Sequence, residues 1–173
     1  MIIERIPEDS WQDQHGHIYR YQLAATYLNP GERVLDIASG IGYGAQILQN
    51  IVPVQYLGAD KVEPVEQFAK LGTFYSGIDL NDWTPDFTWD VSISFETLEH
   101  LEHPEKLAAI LMQAKRLIIL STPTRPTKHL NHFHLHDFTV EQVFDYFPGW
   151  EVQHLEDQPE ELSHIFIFSK KGQ

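Results

Sequence analysis

A chain of 173 residues with 42% hydrophobic and 12% aromatic content has the size and make-up of one globular domain, which excludes wholesale disorder. Acidic residues outnumber basic ones 25 to 12, and the net charge of −13 repels phosphate backbones and anionic lipid, so nucleic acid and membranes are disfavoured as partners. The absence of cysteine excludes disulfides, thiolate metal ligands and thiol catalysis, and no signal peptide or apolar run of spanning length is legible, so the expected location is cytoplasmic.

In chain order, residues 1–10 read as a loose arm and residues 11–173 as a single domain. Ile18, Tyr21, Ala25 and Leu28 recur at helical spacing between Trp11 and Leu28, and Asn29-Pro30-Gly31 ends that helix. Arg33–Ile37 is a buried strand, 44–51 a helix with Ile47, Leu48 and Ile51 on one face, and Val54–Asp60 a second strand ending in an acid. Pro64 suits the first position of a third helix, with Val65, Phe68 and Ala69 turned inward. A short third strand and a turn follow in "FYSGIDLND". Between Leu80 and Trp89 the chain is too short and too rich in Pro and Asp for a full helix.

Trp89–Phe95 is the fourth strand, and Pro104 opens a helix with Leu107, Ile110, Leu111 and Ala114 as its stripe. Leu117–Leu120 is the fifth strand. A further helix starts near Phe138, where Thr139 and Gln142 have capping-box spacing and Phe138 can staple against Val143. Trp150–Leu155 and His164–Ser169 close the chain without an intervening helix, so one of them is expected to be antiparallel. The whole predicts an α/β fold: a Rossmann-like, mainly parallel seven-stranded sheet with an antiparallel C-terminal strand and helices on both faces.

Ligands of such sheets bind beyond the carboxyl ends of the strands, where strand order reverses. The segment "VLDIASGIGYGA" puts a glycine-spaced loop there. It fits a dinucleotide fingerprint through Gly40, Gly42 and Ala45, and an S-adenosylmethionine loop through Asp36, Gly40 and Gly42. Asp60, 20 residues beyond Gly40, can accept hydrogen bonds from ribose hydroxyls under either reading. Asp36 separates them. A pyrophosphate is repelled by a nearby carboxylate, whereas a sulfonium and an α-ammonium are attracted to it. The alternative reading of Asp36 is a cap for the amides of its own loop.

"VLDIASGIGYG" resembles the first motif of the class I S-adenosylmethionine-dependent methyltransferases, and further matches follow in that family's order. "GAD" resembles the ribose-binding acid, with Lys61 beside it. "SGIDLND" resembles the third-strand turn, in which Asp79 would hold the adenine amino group and Leu80 would border the ring. "WDVSISFETLEHLEHPEKLAAIL" resembles the segment after strand four in small methyltransferases that modify sugars, lipids and metabolites, and "STPT…NHFHLHDFT" resembles the loop after strand five there. "HIYRYQLAA" is similar to that group's N-terminal helix. Ala38-Ser39 stands where the family often has Gly-Cys or Ala-Cys. The resemblance implies S-adenosylmethionine as cofactor, with Ala38, Phe95 and Glu96 among its neighbours. It also implies methyl transfer to a small-molecule acceptor, with oxygen favoured as the acceptor atom. With no separate substrate-binding insertion, a cofactor-binding subunit without turnover is the alternative; a nicotinamide-dependent oxidoreductase is a third reading.

Methyl transfer asks the protein to align an acceptor and remove its proton. His100, with an ordinary pKa near ~6.5, and Glu99 are the candidate bases, set against a plain role in capping and solvating the next helix. His129, His132, His134, His136 and Asp137 form a second cluster. In an extended segment His132, His134 and His136 would share a face. Their spacing matches no specific metal motif, and no metal is expected; His134 is the one set against the acceptor pocket. Arg20 is expected to pair with the cofactor's carboxylate and Tyr21 to reach over the cofactor, against a solvated Arg20 and a core Tyr21. Phe74, Trp83, Phe87 and Trp89 are expected in the core, with adenine contact as the alternative. The oligomeric state is not legible.

Overall fold

Alternation along the strands decides which side of the sheet each residue serves. A computed structural model describes residues 6–172. In β1 (Arg33–Ile37), Val34 joins a core cluster with the N-terminal helix α1 (His15–Ala25) and α2 (Tyr43–Ile51), while Leu35 and Ile37 join a second cluster on the opposite face. Asp36 therefore falls on the α1/α2 face with Val34. The strands β2 (Gln55–Ala59), β3 (Thr73–Tyr75), β4 (Val91–Phe95), β5 (Leu117–Pro123), β6 (Trp150–Gln158) and β7 (Ser163–Lys170) complete a seven-stranded sheet in the order β3-β2-β1-β4-β5-β7-β6. Strands β1 to β5 pair in parallel, and β7 runs antiparallel to both β5 and β6. The order reverses between β1 and β4, so the crevice beyond their carboxyl ends is where a ligand site is expected.

Helix α4 (Pro104–Leu111) buries Leu107, Ile110 and Leu111 on the second face, with Pro104 at its first position. Helix α5 (Val140–Asp145) begins with the expected capping box: the Gln142 amide donates to Thr139 Oγ1 at 3.3 Å and the Thr139 amide to Gln142 Oε1 at 2.9 Å. Phe138 and Val143 both lie in the second core cluster, as a staple would have them.

The structure revises three local expectations and bears out a fourth. The helix expected from Trp11 starts at His15, after a single 3₁₀ turn at Trp11–Asp13. The third helix is one turn, α3 (Glu66–Ala69), with Pro64 ahead of it. It buries Phe68 and leaves Ala69 exposed, because a single turn can present only one side chain to the sheet. Residues 1–5 of the expected arm lie outside the described residues, yet Ile6 packs against the core and Trp11 stacks on Tyr43 at 5.4 Å, so the part that is described is docked. Between β3 and β4 there is no helix. Trp83 and Phe87 cover the sheet instead, with Phe87 stacked on Tyr75 at 4.7 Å and Trp89 fully buried and donating to Ser92 Oγ.

Candidate active site

The loop after β1 turns on residues held in the left-handed region: Ala38 at φ 64°, Gly40 at 57° and Gly42 at 93°. Backbone of that kind suits glycine and costs about 1–3 kcal/mol at Ala38. The amides of Ala38 and Ser39 both reach the Ala59 carbonyl, at 2.8 and 3.3 Å, which binds the loop to the end of β2. A Cβ on Gly40 would meet nothing within 4 Å, so the loop presents bare backbone to open space. At Gly44 the reason for glycine is different: a Cβ there would lie 2.5 Å from the Tyr21 ring.

Asp60 accepts from the Gly40 amide through Oδ2 at 2.7 Å and from the Val62 amide through Oδ1 at 2.9 Å. It is half-buried at the end of β2, and its remaining lone pairs are open to further donors. The cap of the glycine loop is thus Asp60 and not Asp36. Asp36 is 1% exposed, and its Oδ2 accepts from the Tyr21 hydroxyl at 2.8 Å and, more closely, from that of Tyr56. Its Oδ1 has no hydrogen-bond partner. Burial pushes this carboxyl up to about 7, partly opposed by the two tyrosine hydrogen bonds. The expectation of an acid standing beside the cofactor's cations is corrected: strand alternation carries Asp36 beneath the loop, among tyrosines of the α1/α2 face.

Tyr21 is a core residue, edge-on to Phe95 at 4.9 Å, with its hydroxyl committed to Asp36, so it does not reach over the crevice. Phe95, only 7% exposed, is equally part of the core. Arg20 is fully buried rather than solvated. Its Nε donates to Gln158 Oε1 at 2.7 Å, and Nη2 lies 3.4 Å from Glu96 and 3.6 Å from Glu161. Among the described residues Nη1 has no hydrogen-bond partner, and Nη2 has only these two ion pairs. A buried N–H left so is costly unless an acceptor meets it.

Glu96 closes β4 at φ 49°, its carboxylate accepting from Ser121 Oγ at 2.7 Å and Ser163 Oγ at 2.9 Å. The 3₁₀ turn Leu98–His100 follows. Glu99 is fully buried, so it does not solvate the next helix. Its Oε2 accepts from Thr122 Oγ1 at 3.0 Å, and Oε1 has no hydrogen-bond partner among the described residues. Burial, and then the charge of Glu96, hold its carboxyl well above the usual range. His100 Nδ1 donates to the Phe133 carbonyl at 3.2 Å, and its Nε2 lies 3.7 Å from Glu99 Oε1.

The loop after β5 is pinned onto this turn by the Leu135 and His136 amides, which donate to the Glu99 carbonyl at 2.8 and 3.3 Å. The segment turns rather than extends, so its histidines do not share a face. His129 and His132 are exposed, His136 is bonded to the Leu101 carbonyl, and Asp137 accepts from the Thr127 and Lys128 amides. His134 alone meets His100, ring to ring at 4.7 Å, with Nδ1 2.7 Å from Thr127 Oγ1 and Nε2 3.0 Å from Asn131 Nδ2.

Of the remaining expected residues, Lys61 and Asp79 are exposed, Asp79 holding Asn81 through an Asx turn, and Leu80 is half-buried. Phe74 packs over Gly42 and against Tyr56. Several residues that shape the site escaped the sequence reading: Tyr56, Gln158, Ser163, Ser121 and Thr122. Ser121 and Thr122 did carry a signal, as polar residues ending the otherwise apolar run "LIILST".

A family model described as a methyltransferase domain matches residues 12–171. No curated protein matches the chain. Among solved structures, the fold is similar to a putative methyltransferase of Haloferax volcanii in complex with the Trm112 methyltransferase activator (TM-score 0.71, 13% identity, covering 97% of this chain and 99% of that one). It is also similar to magnesium protoporphyrin IX methyltransferase from Synechocystis with bound SAH (TM-score 0.70, 15% identity, 98% and 90%). A third is an S-adenosylmethionine-dependent methyltransferase from Mesorhizobium loti (TM-score 0.67, 16% identity, 87% and 98%).

Proposed function

The chain belongs to the methyltransferase-domain family, and from that premise we propose that it moves a methyl group from S-adenosylmethionine to a hydroxyl of a small acceptor, such as a sugar or other metabolite. The single observation that carries the reading is the fully buried Arg20 guanidinium, whose Nη1 has no hydrogen-bond partner among the described residues while Nη2 is ion-paired with Glu96 and Glu161. Its Nη1 is a spare donor beside β4, and the carboxylate of the cofactor is an acceptor for it.

The residues present fit the cofactor. Asp60 keeps lone pairs for ribose hydroxyls, the bare backbone at Gly40 admits close approach, and Arg20 takes the carboxylate. Asp79 and Leu80, at the turn after β3, are assigned to the adenine, with Lys61, Ala38 and Glu96 as further neighbours. Asp36 and Tyr21 support the loop from below. When bound, S-adenosylmethionine supplies a methyl group on an already activated sulfonium. The protein's share is alignment and removal of the acceptor's proton, for which the Nε2 lone pair of His100 is set by the Phe133 carbonyl, with Glu99 and His134 beside it. The net charge of −13 favours a neutral or cationic small acceptor over nucleic acid.

Calorimetry with S-adenosylhomocysteine and with NAD tests the cofactor, and an acceptor screen with products read by mass tests the reaction. S-adenosylhomocysteine should bind and NAD should not; the opposite result overturns the reading. Binding without turnover on any acceptor would leave a cofactor-binding subunit and remove the transferase.

A further inference from the structure

We propose that Glu99, His100 and His134 form a binding site for one divalent transition-metal ion at the acceptor end of the crevice. One atom of each residue lies within 4.8 Å of the others. Ligand atoms around one ion, each at roughly 2.0–2.2 Å, stand at most about 4.4 Å apart, so small side-chain rotations complete the set.

Four features of the cluster fit an ion better than a chance meeting of side chains. The Oε1 atom of Glu99 is buried without a hydrogen-bond partner, while Thr122 fixes Oε2. A carboxylate oxygen in that condition is costly unless a cation meets it. His100 has its far nitrogen, Nδ1, on the Phe133 carbonyl, and His134 has Nδ1 on Thr127 Oγ1. Such outer partners set the tautomer of a metal-binding imidazole and turn Nε2 inward. The Asn131 amide now 3.0 Å from His134 Nε2 is the contact an ion would displace. Finally, the two segments that carry the donors are tied together through the Glu99 carbonyl, so the set does not depend on one mobile loop.

The donors choose the ion's class. Two imidazoles and one carboxylate suit Zn²⁺, Co²⁺ or Mn²⁺, whereas Mg²⁺ and Ca²⁺ ask for oxygen. Glu96 stays outside the set, since both of its oxygens are engaged by serines. Three protein ligands leave positions open for the acceptor. This part rests on the transferase reading: the acceptor hydroxyl enters an open position, its O–H bond breaks with the proton passing to water, and His100 acts as a ligand rather than as the base. The role extends the acceptor class to hydroxyls, or adjacent hydroxyl pairs, that can bind a cation.

The test titrates Co²⁺ into metal-stripped protein, read by calorimetry and visible absorption, with S-adenosylhomocysteine affinity measured on the same samples. One equivalent should bind with an absorption band of nitrogen and oxygen ligation, and His134→Ala, His100→Ala and Glu99→Gln should each weaken it at least about tenfold. The His132→Ala variant, altered at an exposed histidine, should bind Co²⁺ like the wild type. Absence of Co²⁺ binding, or binding equal in the wild type and the three ligand variants, overturns the site. Should Glu99→Gln fail to fold, shown by lost S-adenosylhomocysteine binding, the half-buried His134 carries the test. Co²⁺ binding without S-adenosylhomocysteine binding would keep the site and remove the transferase reading; the reverse would remove the metal alone.

Discussion

Asp60 accepts the amide hydrogen of Gly40 at 2.7 Å, so the acid at the end of β2 holds the turn that follows β1. The same carboxylate is assigned to the ribose, and its removal strikes the loop and the ligand together. Charge-assisted hydrogen bonds contribute about 1.5–3 kcal/mol each. Asp60→Ala should therefore weaken S-adenosylhomocysteine at least about tenfold by calorimetry, and unchanged affinity would take Asp60 out of the site.

For Arg20 the informative comparison is between two ligands. Wild-type protein should prefer S-adenosylhomocysteine over its decarboxylated counterpart at least about tenfold. Arg20→Met should bind the two alike. A preference that survives in the variant would mean that the carboxylate is held elsewhere.

His100→Ala should leave S-adenosylhomocysteine affinity within about twofold of the wild type, since the ring stands at the acceptor end. Turnover on an acceptor found by screening should fall at least about a hundredfold. Full activity would empty the assignment of His100 as either base or ligand.

A buried carboxyl and a half-buried imidazole give opposing pH dependences. Asp36, pushed up to about 7, stabilises the fold below its unfolded value near ~4 and loses that contribution as pH rises toward 7. His17, desolvated and near the charge of Arg20, is pushed down to about 3. Its contribution is complete above ~6.5 and is lost as pH falls. Between pH 4 and 6.5 the two partly cancel in the wild type. Relative to wild type, Asp36→Asn should gain stability with rising pH and His17→Gln should lose it, as read from melting temperatures. Parallel curves for all three proteins would rule out both assignments.

The succession of strands and helices, the glycine turn and the acid after β2 were legible because each rests on local pattern: apolar runs, glycine spacing and a fixed offset. The capping box at Thr139 was legible for the same reason. What local pattern does not carry is depth. Arg20 reads from the sequence as a partner of the cofactor's carboxylate or as solvated, and only a partner 138 residues away, Gln158, reveals it as buried. Asp36 was legible as unusual, but its two tyrosines come from α1 and β2, and no spacing rule joins them. In the histidine-rich loop the alternation suggested an extended face, and a turn near Asn131 broke it, leaving His134 alone with His100.

The final hairpin of the sheet has a temporal meaning as well as a spatial one. Gln158, Glu161 and Ser163, all in the β6–β7 hairpin, steady Arg20 and Glu96 and are synthesised only after β5. Every recognisable motif precedes them. A product cut short after β5 would carry the whole signature of its family and still lack the floor on which the donor's anionic end is to rest, so a truncated homologue with perfect motifs is expected to be a poor receptor.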